Sequence, residues 1–574
     1  MRPGRDESCK TDVMNFNPDA GDSISVSSER WIDKRFLLPA LAIVLLGVVL
    51  FFFHLASYET LRSHEAFVAV PAREMLMSGD WIVPRFGGLP RFQKPPLAYW
   101  VVSACVWVFG DLNEWTARFP SAASALLLAV LMGFWATRWY GQKIGLATML
   151  VQITSFYALN LGRRAEVDMF LCLLMTTAMF LVAFEKPQRP LRYEFWRWAG
   201  IYSLLGLSFL AKFHFGPGLV LAPVLVFLTI QRRRTSLLRM LNPLGFAILA
   251  SCVFVWPYLV LRQHPEAWAV WVSDPLARAI VDRDPWWFYF PCVLRSCLPW
   301  VPLGILLIPQ SWSRAWKEGD ARERFLWVWF VTQFLLLTLA AGKRSHYIVP
   351  ALPVVSIFAG RSLIQIGERM KQRRQFFKRS TALCVSFFCL IGAVIVWWGI
   401  SRKWSYLQNP AITLACTFWI GVCIVIMLAR VRKVEAAAIC SIVVFVACYS
   451  EVIGWILPGM DRRLVEVEFA EDIRNHIAPQ KEICAYRIGM DAVVYSLREP
   501  LYRIESRNQL VQRLKNQREM LVLTRESILP ELEHIGRQTV LKTFFLPPDH
   551  AGPRKKPLIF LRLTSLESEQ VLLH

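Results

Sequence analysis

The chain has 574 residues, 55% of them hydrophobic, a mean hydropathy of +0.38 and a formal net charge of +22. Its apolar residues come in runs of roughly 17–22 separated by short charged segments, which excludes an ordinary soluble domain and predicts a polytopic membrane protein. The Lys and Arg residues cluster between those runs, where membrane orientation demands them, so the positive charge is no argument for nucleic acid.

Residues 1–35 form a polar lead rich in Ser, Asp and Arg. It is too long and too acidic for a cleavable signal, and no small-residue cleavage site follows the next apolar run. Residues 36–56 therefore read as an uncleaved first span. Further spans are predicted over 119–138, 145–161, 167–184, 197–211, 216–231, 243–262, 288–309, 325–340, 347–366, 381–400, 411–430 and 435–457. The stretch 97–110 is too short to cross and reads as interfacial. With it left out and the N-terminus cytoplasmic, the two most basic connections, "RRRTSLLRM" and "GERMKQRRQFFKRS", fall inside. The positive-inside rule thus favours about 13 transmembrane helices and an external C-terminus. The 24 Trp suit interfacial belts, and the 13 Cys show no CxxC pair and read as packing residues.

The tail, 458–574, changes character. Short β-rich runs such as "ICAYR", "MLVLT" and "LIFLRL" alternate with helix-like segments such as "NQLVQRLKN". This reads as a small α/β external domain without a nucleotide-binding glycine pattern. The expected organisation is a lead (1–35), an all-α polytopic membrane domain (36–457) with interfacial helices in its first external loop (57–118), and the tail domain.

The unusual polar residues concentrate in the segments placed outside. In "RSHEAFVAVPAREMLMSGD", a helix kinked at Pro71 carries His64, Glu65 and Arg73 close to the membrane exit. "QKPP" holds Lys94 on a rigid turn, which suits a phosphate. Asp168 stands at the mouth of a span in "LGRRAEVDMF", and "LAKFHFGPG" supplies Lys212. "AGKRSHYIVPALP" offers Lys343, Arg344, His346 and Tyr347, a basic group on the outer side against the charge rule. Two acids and several cations around one external, membrane-level cavity suit a lipid-linked phosphate. The cations would stabilise it as a leaving group, and an acid would take a proton or help fix a metal or an acceptor. Residues alone stop at a membrane enzyme or transporter.

The pattern "EAFVAVPAREMLMSGDWIVPRFGG…RFQKPPLAYW…NEWTARFPSA", followed in order by "GRRAEVD", "LAK", "DPWWFYFP…LPW" and "GKRSHYIVPALP", resembles the lipid A aminoarabinose transferases and the related protein O-mannosyltransferases. These are membrane glycosyltransferases of the GT-C fold. The resemblance runs from about residue 36 to about residue 366. It implies transfer of a sugar from a polyprenyl-phosphate donor to a glycolipid or protein acceptor outside the cytoplasmic membrane, with inversion, and no nucleic-acid partner. It implies catalytic roles for Glu65 and Asp168, donor-phosphate contact for Lys94 and a lipid-site position for Tyr347. A divalent metal ion stays open as the one cofactor candidate. His64 stands where the family has an Asp, Gln93 replaces a Glu, and "LAKFHFGPG" departs from a Lys-Gly-Pro turn. A lipid-linked saccharide flippase, which needs no catalytic acid, and a non-catalytic membrane scaffold are the competing readings.

Overall fold

The computed structural model describes residues 34–56, 61, 63–185, 190–273, 284–340, 342–372, 379–403, 407–431, 433–456, 473, 483–487, 501–504, 506–517, 519–544 and 557–565. Most of the polar lead, residues 1–33, and part of the basic connection at 373–378 lie outside that set. The helical domain runs α1 (Lys34–Phe52), α2 (Ser63–Ser78), α3 (Leu97–Phe109), α4 (Glu114–Tyr140), α5 (Gln142–Thr154), α6 (Phe156–Leu161), α7 (Asp168–Ala183), α8 (Leu191–Lys212) and α9 (Phe215–Ile230). It continues through α10 (Arg234–Arg239), α11 (Pro243–Gln263), α12 (Tyr289–Ser296), α13 (Val301–Trp316) and α14 (Ala321–Leu339). A 3-10 turn (Ser345–Ala351) leads into α15 (Pro353–Gln372), followed by α16 (Arg379–Lys403), α17 (Gln408–Arg430) and α18 (Val434–Glu451). A strand pair, β1 (Arg85–Phe86) and β2 (Leu89–Pro90), lies between α2 and α3.

Local chemistry sets the boundaries. Asn113 and Thr116 form a reciprocal capping box at the start of α4. Asn242 accepts the Gly245 N–H at 2.6 Å at the start of α11, with Pro243 in the first turn. Gly110 ends α3 at a φ of 96°, a conformation that strains a side chain. Pro71 lies inside α2, which runs through it to Ser78.

Among the described residues, four helices are long and apolar enough to cross a membrane: α1, α4, α11 and residues 408–428 of α17. Two further pairs qualify only together. α12 and α13 meet at 113°, and the 3-10 turn and α15 meet at 60°. The expected spans 288–309 and 347–366 are therefore bent. The expected span 145–161 is also broken, because Ser155 takes an extended ψ of 138° between α5 and α6. α3 is a short apolar helix, as its length implied.

The tail folds as a five-stranded mixed sheet in the order β4-β3-β5-β7-β6, with β3 (Ile483–Tyr486), β4 (Leu501–Ile504), β5 (Glu519–Arg525), β6 (Gly536–Phe544) and β7 (Leu558–Ser565). β3 is parallel to β4 and β5, while β7 is antiparallel to β5 and β6. Alternate residues of the central strands serve two cores, as the two-residue period of a strand requires. Cys484, Tyr486, Val522, Ile559 and Leu561 pack with Leu510 and Leu514 of α19 (Arg507–Gln517) and with Leu532 of α20 (Leu529–Glu533). Ile483, Ala485, Leu521, Leu523, Leu558 and Phe560 pack instead against Ala66, Ala69 and Val70 of α2, together with Phe86, Ala117 and Ala165. The sheet is thus buried on both faces, which explains its continuous apolar runs. At its edge, the Arg503 N–H donates to Gly87 O at 3.3 Å, and the Tyr502 ring lies 3.1 Å from where a Gly88 side chain would begin.

Phe560 is 1% exposed and belongs to the core shared with α2. Phe560→Ala is expected to cost about 3–5 kcal/mol, as large-to-small core changes do. The readouts are a lower thermal midpoint in detergent and faster proteolysis near α2.

Candidate active site

The first loop is assembled from residues close in sequence and then stapled from afar. Gly87 and Gly88 take φ values of 63° and 74°, the left-handed pair that a two-residue hairpin between β1 and β2 requires. Glu74 accepts both glycine N–H groups, at 2.7 and 3.2 Å. The Arg91 N–H then donates to Pro84 O at 2.7 Å. Three indoles fix the loop by donating to backbone carbonyls: Trp100 to Trp81 O at 3.0 Å, Trp256 to Ile82 O at 2.9 Å and Trp271 to Phe92 O at 2.8 Å. Lys94 follows this stapled stretch and precedes Pro95 and Pro96, with the Pro96 carbonyl opening α3.

A cavity of about 680 Å³ lies beneath the loop. Arg91, Lys94, Arg164, Arg295 and Arg344 line it, with Glu166, Asp168, His64, His346, Tyr347, Asn160 and Tyr157. Five cations therefore face two carboxylates, and one of those is already matched. Asp168, in the first turn of α7, accepts from Lys212 Nζ at 2.7 Å. The ammonium also lies over the Tyr347 and Phe215 rings, 4.4 and 4.8 Å from their centroids. The remaining positive charge suits an anion of more than one charge.

A second cavity of about 590 Å³ shares Phe156, Asn160 and Arg164 with the first. Its wall is mostly apolar, including Leu159, Leu298, Phe418, Phe445 and Ile453, with Glu65, Arg118 and Arg163 at its polar side.

Burial sets the protonation of two groups outside the spans. His346 is driven down to about 4 by burial, with Lys212, Lys94 and His64 adding to the effect and Asp168 opposing it. It is neutral at physiological pH and donates or accepts a hydrogen bond rather than supplying charge. The Glu166 carboxyl is pushed up to about 7 by burial, then by Asp168 and Glu65, against Arg164 and Lys212.

The ten residues singled out from sequence separate into three groups. His64, Lys94, Asp168, Arg344, His346 and Tyr347 line the charged cavity. Lys212 stands behind the wall as the partner of Asp168. Arg73, Lys343 and Glu65 do not line it. Lys343 is buried and donates to Asp284 O at 3.2 Å. Arg73 sits half-buried on α2 beside Glu74.

Glu65 is 2% exposed, accepts from Arg118 Nε and Nη2 at 2.8 and 3.2 Å, and takes the Ala165 N–H at 2.9 Å. Expected as an acid that meets substrate, it is tied instead into a buried ion pair that fixes α2 to α4 and to the turn before α7. Arg163 donates to the Leu50, Phe51 and His54 carbonyls and so satisfies the end of α1.

Arg91, Arg164, Glu166 and Arg295 were missed. Arg295 carried a usable signal, because a cation inside an apolar run marks a functional site by default. Arg91 was hidden by its neighbour Lys94 in the same turn. Among the described residues, no group of three or more His, Cys, Asp and Glu is placed to hold a metal ion.

Residues 93–260 match the family model described as dolichyl-phosphate-mannose-protein mannosyltransferase. A relative from Edwardsiella ictaluri, undecaprenyl phosphate-alpha-4-amino-4-deoxy-L-arabinose arabinosyl transferase, is 33% identical over 58% of this chain and 60% of its own length. The protein of that name from Yersinia enterocolitica is 25% identical over 73% of this chain and 77% of its own. The chain thus spans less than two thirds of the Edwardsiella relative. The crystal structure of ArnT from Cupriavidus metallidurans bound to undecaprenyl phosphate superposes with a TM-score of 0.74 at 19% identity, covering 91% of this chain and 97% of that one. The fold is the same, and the resemblance read from the first loop holds.

The Glu65 ion pair makes a prediction separable from chemistry. Glu65→Ala leaves Arg118 buried without its acid and is expected to cost about 3–5 kcal/mol of stability. A thermal-shift measurement in detergent reads this directly. Were Glu65 only a reacting acid, turnover would fall and the midpoint would stay.

Proposed function

We propose that this chain, a relative of the GT-C-fold membrane glycosyltransferases, moves a sugar from a polyprenyl-phosphate carrier to a glycolipid or protein acceptor, inverting the anomeric carbon. The observation that carries this reading is the excess of cations in a cavity that adjoins an apolar one. A lipid phosphate matches that pair of environments: its headgroup takes the charge, and its chain takes the apolar wall.

Lys94, Arg91, Arg295 and Arg344 would hold the phosphate and stabilise the charge that grows on it as the sugar leaves. Tyr347 would bound the headgroup, and neutral His346 would hydrogen-bond it. The pair of Asp168 with Lys212 would hold the start of α7 against α8, and Glu65 would act as a positioning residue through Arg118. The names of the relatives from Edwardsiella and Yersinia support an undecaprenyl carrier and a sugar of the aminoarabinose kind. The basic connections support thirteen spans in the cytoplasmic membrane, a cytoplasmic N-terminus and an external tail domain. The division into 1–35, 36–457 and 458–574 follows from the same reading.

The test is donor turnover. The protein is purified into lipid and supplied with a panel of polyprenyl-phosphate sugars and a crude envelope extract, and release of free polyprenyl phosphate is followed. One donor is expected to turn over. Lys94→Ala is expected to weaken transition-state stabilisation, lowering kcat/KM by about 10²–10³-fold. Release from no donor, with donor binding intact, refutes the transferase.

A further inference from the structure

Glycosyl transfer needs a base only when the attacking oxygen arrives protonated. Two of the acids around the cavity, Asp168 and Glu65, are occupied. Asp168 accepts from Lys212 at 2.7 Å. Glu65 accepts two guanidinium N–H groups and a backbone N–H. Charge-assisted hydrogen bonds of this kind favour the ionised form and make a carboxylate a poor proton acceptor.

Glu166 differs. It lines the cavity with its side chain 15% exposed. Its one salt bridge among the described residues, to Arg164, is 3.7 Å long, beyond hydrogen-bond distance. Its backbone is nevertheless held from both sides. The Glu166 N–H donates to Arg164 O at 2.7 Å, and its carbonyl accepts from Ser121 Oγ at 2.7 Å. A fixed backbone with a carboxylate left open to the cavity is the arrangement a general base requires.

The groups that set its charge are Asp168 and Arg164 on its own segment, Glu65 on α2 and Lys212 on α8. Across the cavity stand His64 on α2, Arg91 and Lys94 before α3, Arg295 on α12, and Arg344 and His346 before α15. His64 is the rival base. It is exposed, and its described contact is a ring contact with Phe67 at 6.4 Å, which does not orient an imidazole for proton transfer.

Resting on the transferase reading, we infer that Glu166 accepts the proton of an attacking hydroxyl, so that the acceptor reacts through a hydroxyl rather than through an ionised phosphate. The hydroxyl oxygen bonds to the anomeric carbon as its proton passes to the Glu166 carboxylate. The bond between that carbon and the phosphate oxygen breaks, and its electron pair stays on the departing polyprenyl phosphate. Glu166 then returns the proton to water.

The test follows kcat from pH 5 to 9 with the donor that the unaltered protein turns over. With the carboxyl titrating near 7, the charged base predominates above that pH, so kcat is expected to fall on the acid side of about pH 7. Glu166→Gln is expected to lower kcat by about 10²–10⁴-fold and to remove the acid limb, with KM for the donor little changed. Glu166→Asp is expected to restore the limb at an intermediate rate. Envelope extract treated with phosphatase is expected to remain an acceptor.

Full kcat and an intact limb in Glu166→Gln overturn the inference, as does loss of the limb in His64→Gln. Loss of acceptor activity after phosphatase treatment also overturns it. Each of these results leaves the transferase reading standing, whereas that reading falls only if no donor turns over in the unaltered protein.

Discussion

The buried pair of Glu65 and Arg118 is the constraint on which the site depends. Both side chains are 2% exposed or less, and a charge in such a place is costly unless it is fully matched. The match is full because the carboxylate also takes the Ala165 N–H, and Arg118 also donates to Leu55 O at 2.9 Å. One ion pair therefore ties together the end of α1, the start of α2, the start of α4 and the turn that presents Glu166 and Asp168. Arg163 repeats the device on the last carbonyls of α1. The chain leaves its first apolar helix through a belt of guanidinium groups, and the cavity is built on that belt.

Around the cavity, two of the acids are matched by cations that do not line it. Lys212 matches Asp168, and Arg118 matches Glu65, each through a short hydrogen bond. Burial keeps His346 neutral, so the positive charge of the cavity comes from its Lys and Arg side chains. Glu166, with its carboxyl pushed up to about 7 in the same cavity, adds negative charge as the pH rises through neutrality, so the field on an anion weakens there while proton transfer gains.

The helical architecture was legible because apolar runs of span length have few alternatives. So were the short α3 and three strands of the tail, β3, β5 and β7. The breaks were not. Residues 288–309 read as one apolar run, yet α12 and α13 turn by 113° within it. Hydropathy averages over such a bend, and Arg295 was averaged away with it.

Lys94 and Asp168 could be found because Pro95 and Pro96 on one side and a span mouth on the other announce them. The partner of Glu65 could not, since Arg118 lies 53 residues on and only folding brings the two together. Lys343 and Arg73 share their segments with cavity residues, and side-chain direction, which spacing does not fix, turns them elsewhere. The tail was read as a separate external module. Its strands were there, but the second apolar face, which covers α2, has no signature distinct from an ordinary core.

That shared face has a consequence for how the protein comes into being. A chain is made from its N-terminus, so α2 is synthesised long before β7, which carries Phe560. Every helix can be in place while the outer side of α2 is still bare. The helix that carries His64 and Glu65 is covered only when the strands of the sheet arrive. A chain truncated before Phe560 thus keeps its membrane helices but lacks a strand that covers the helix carrying the site.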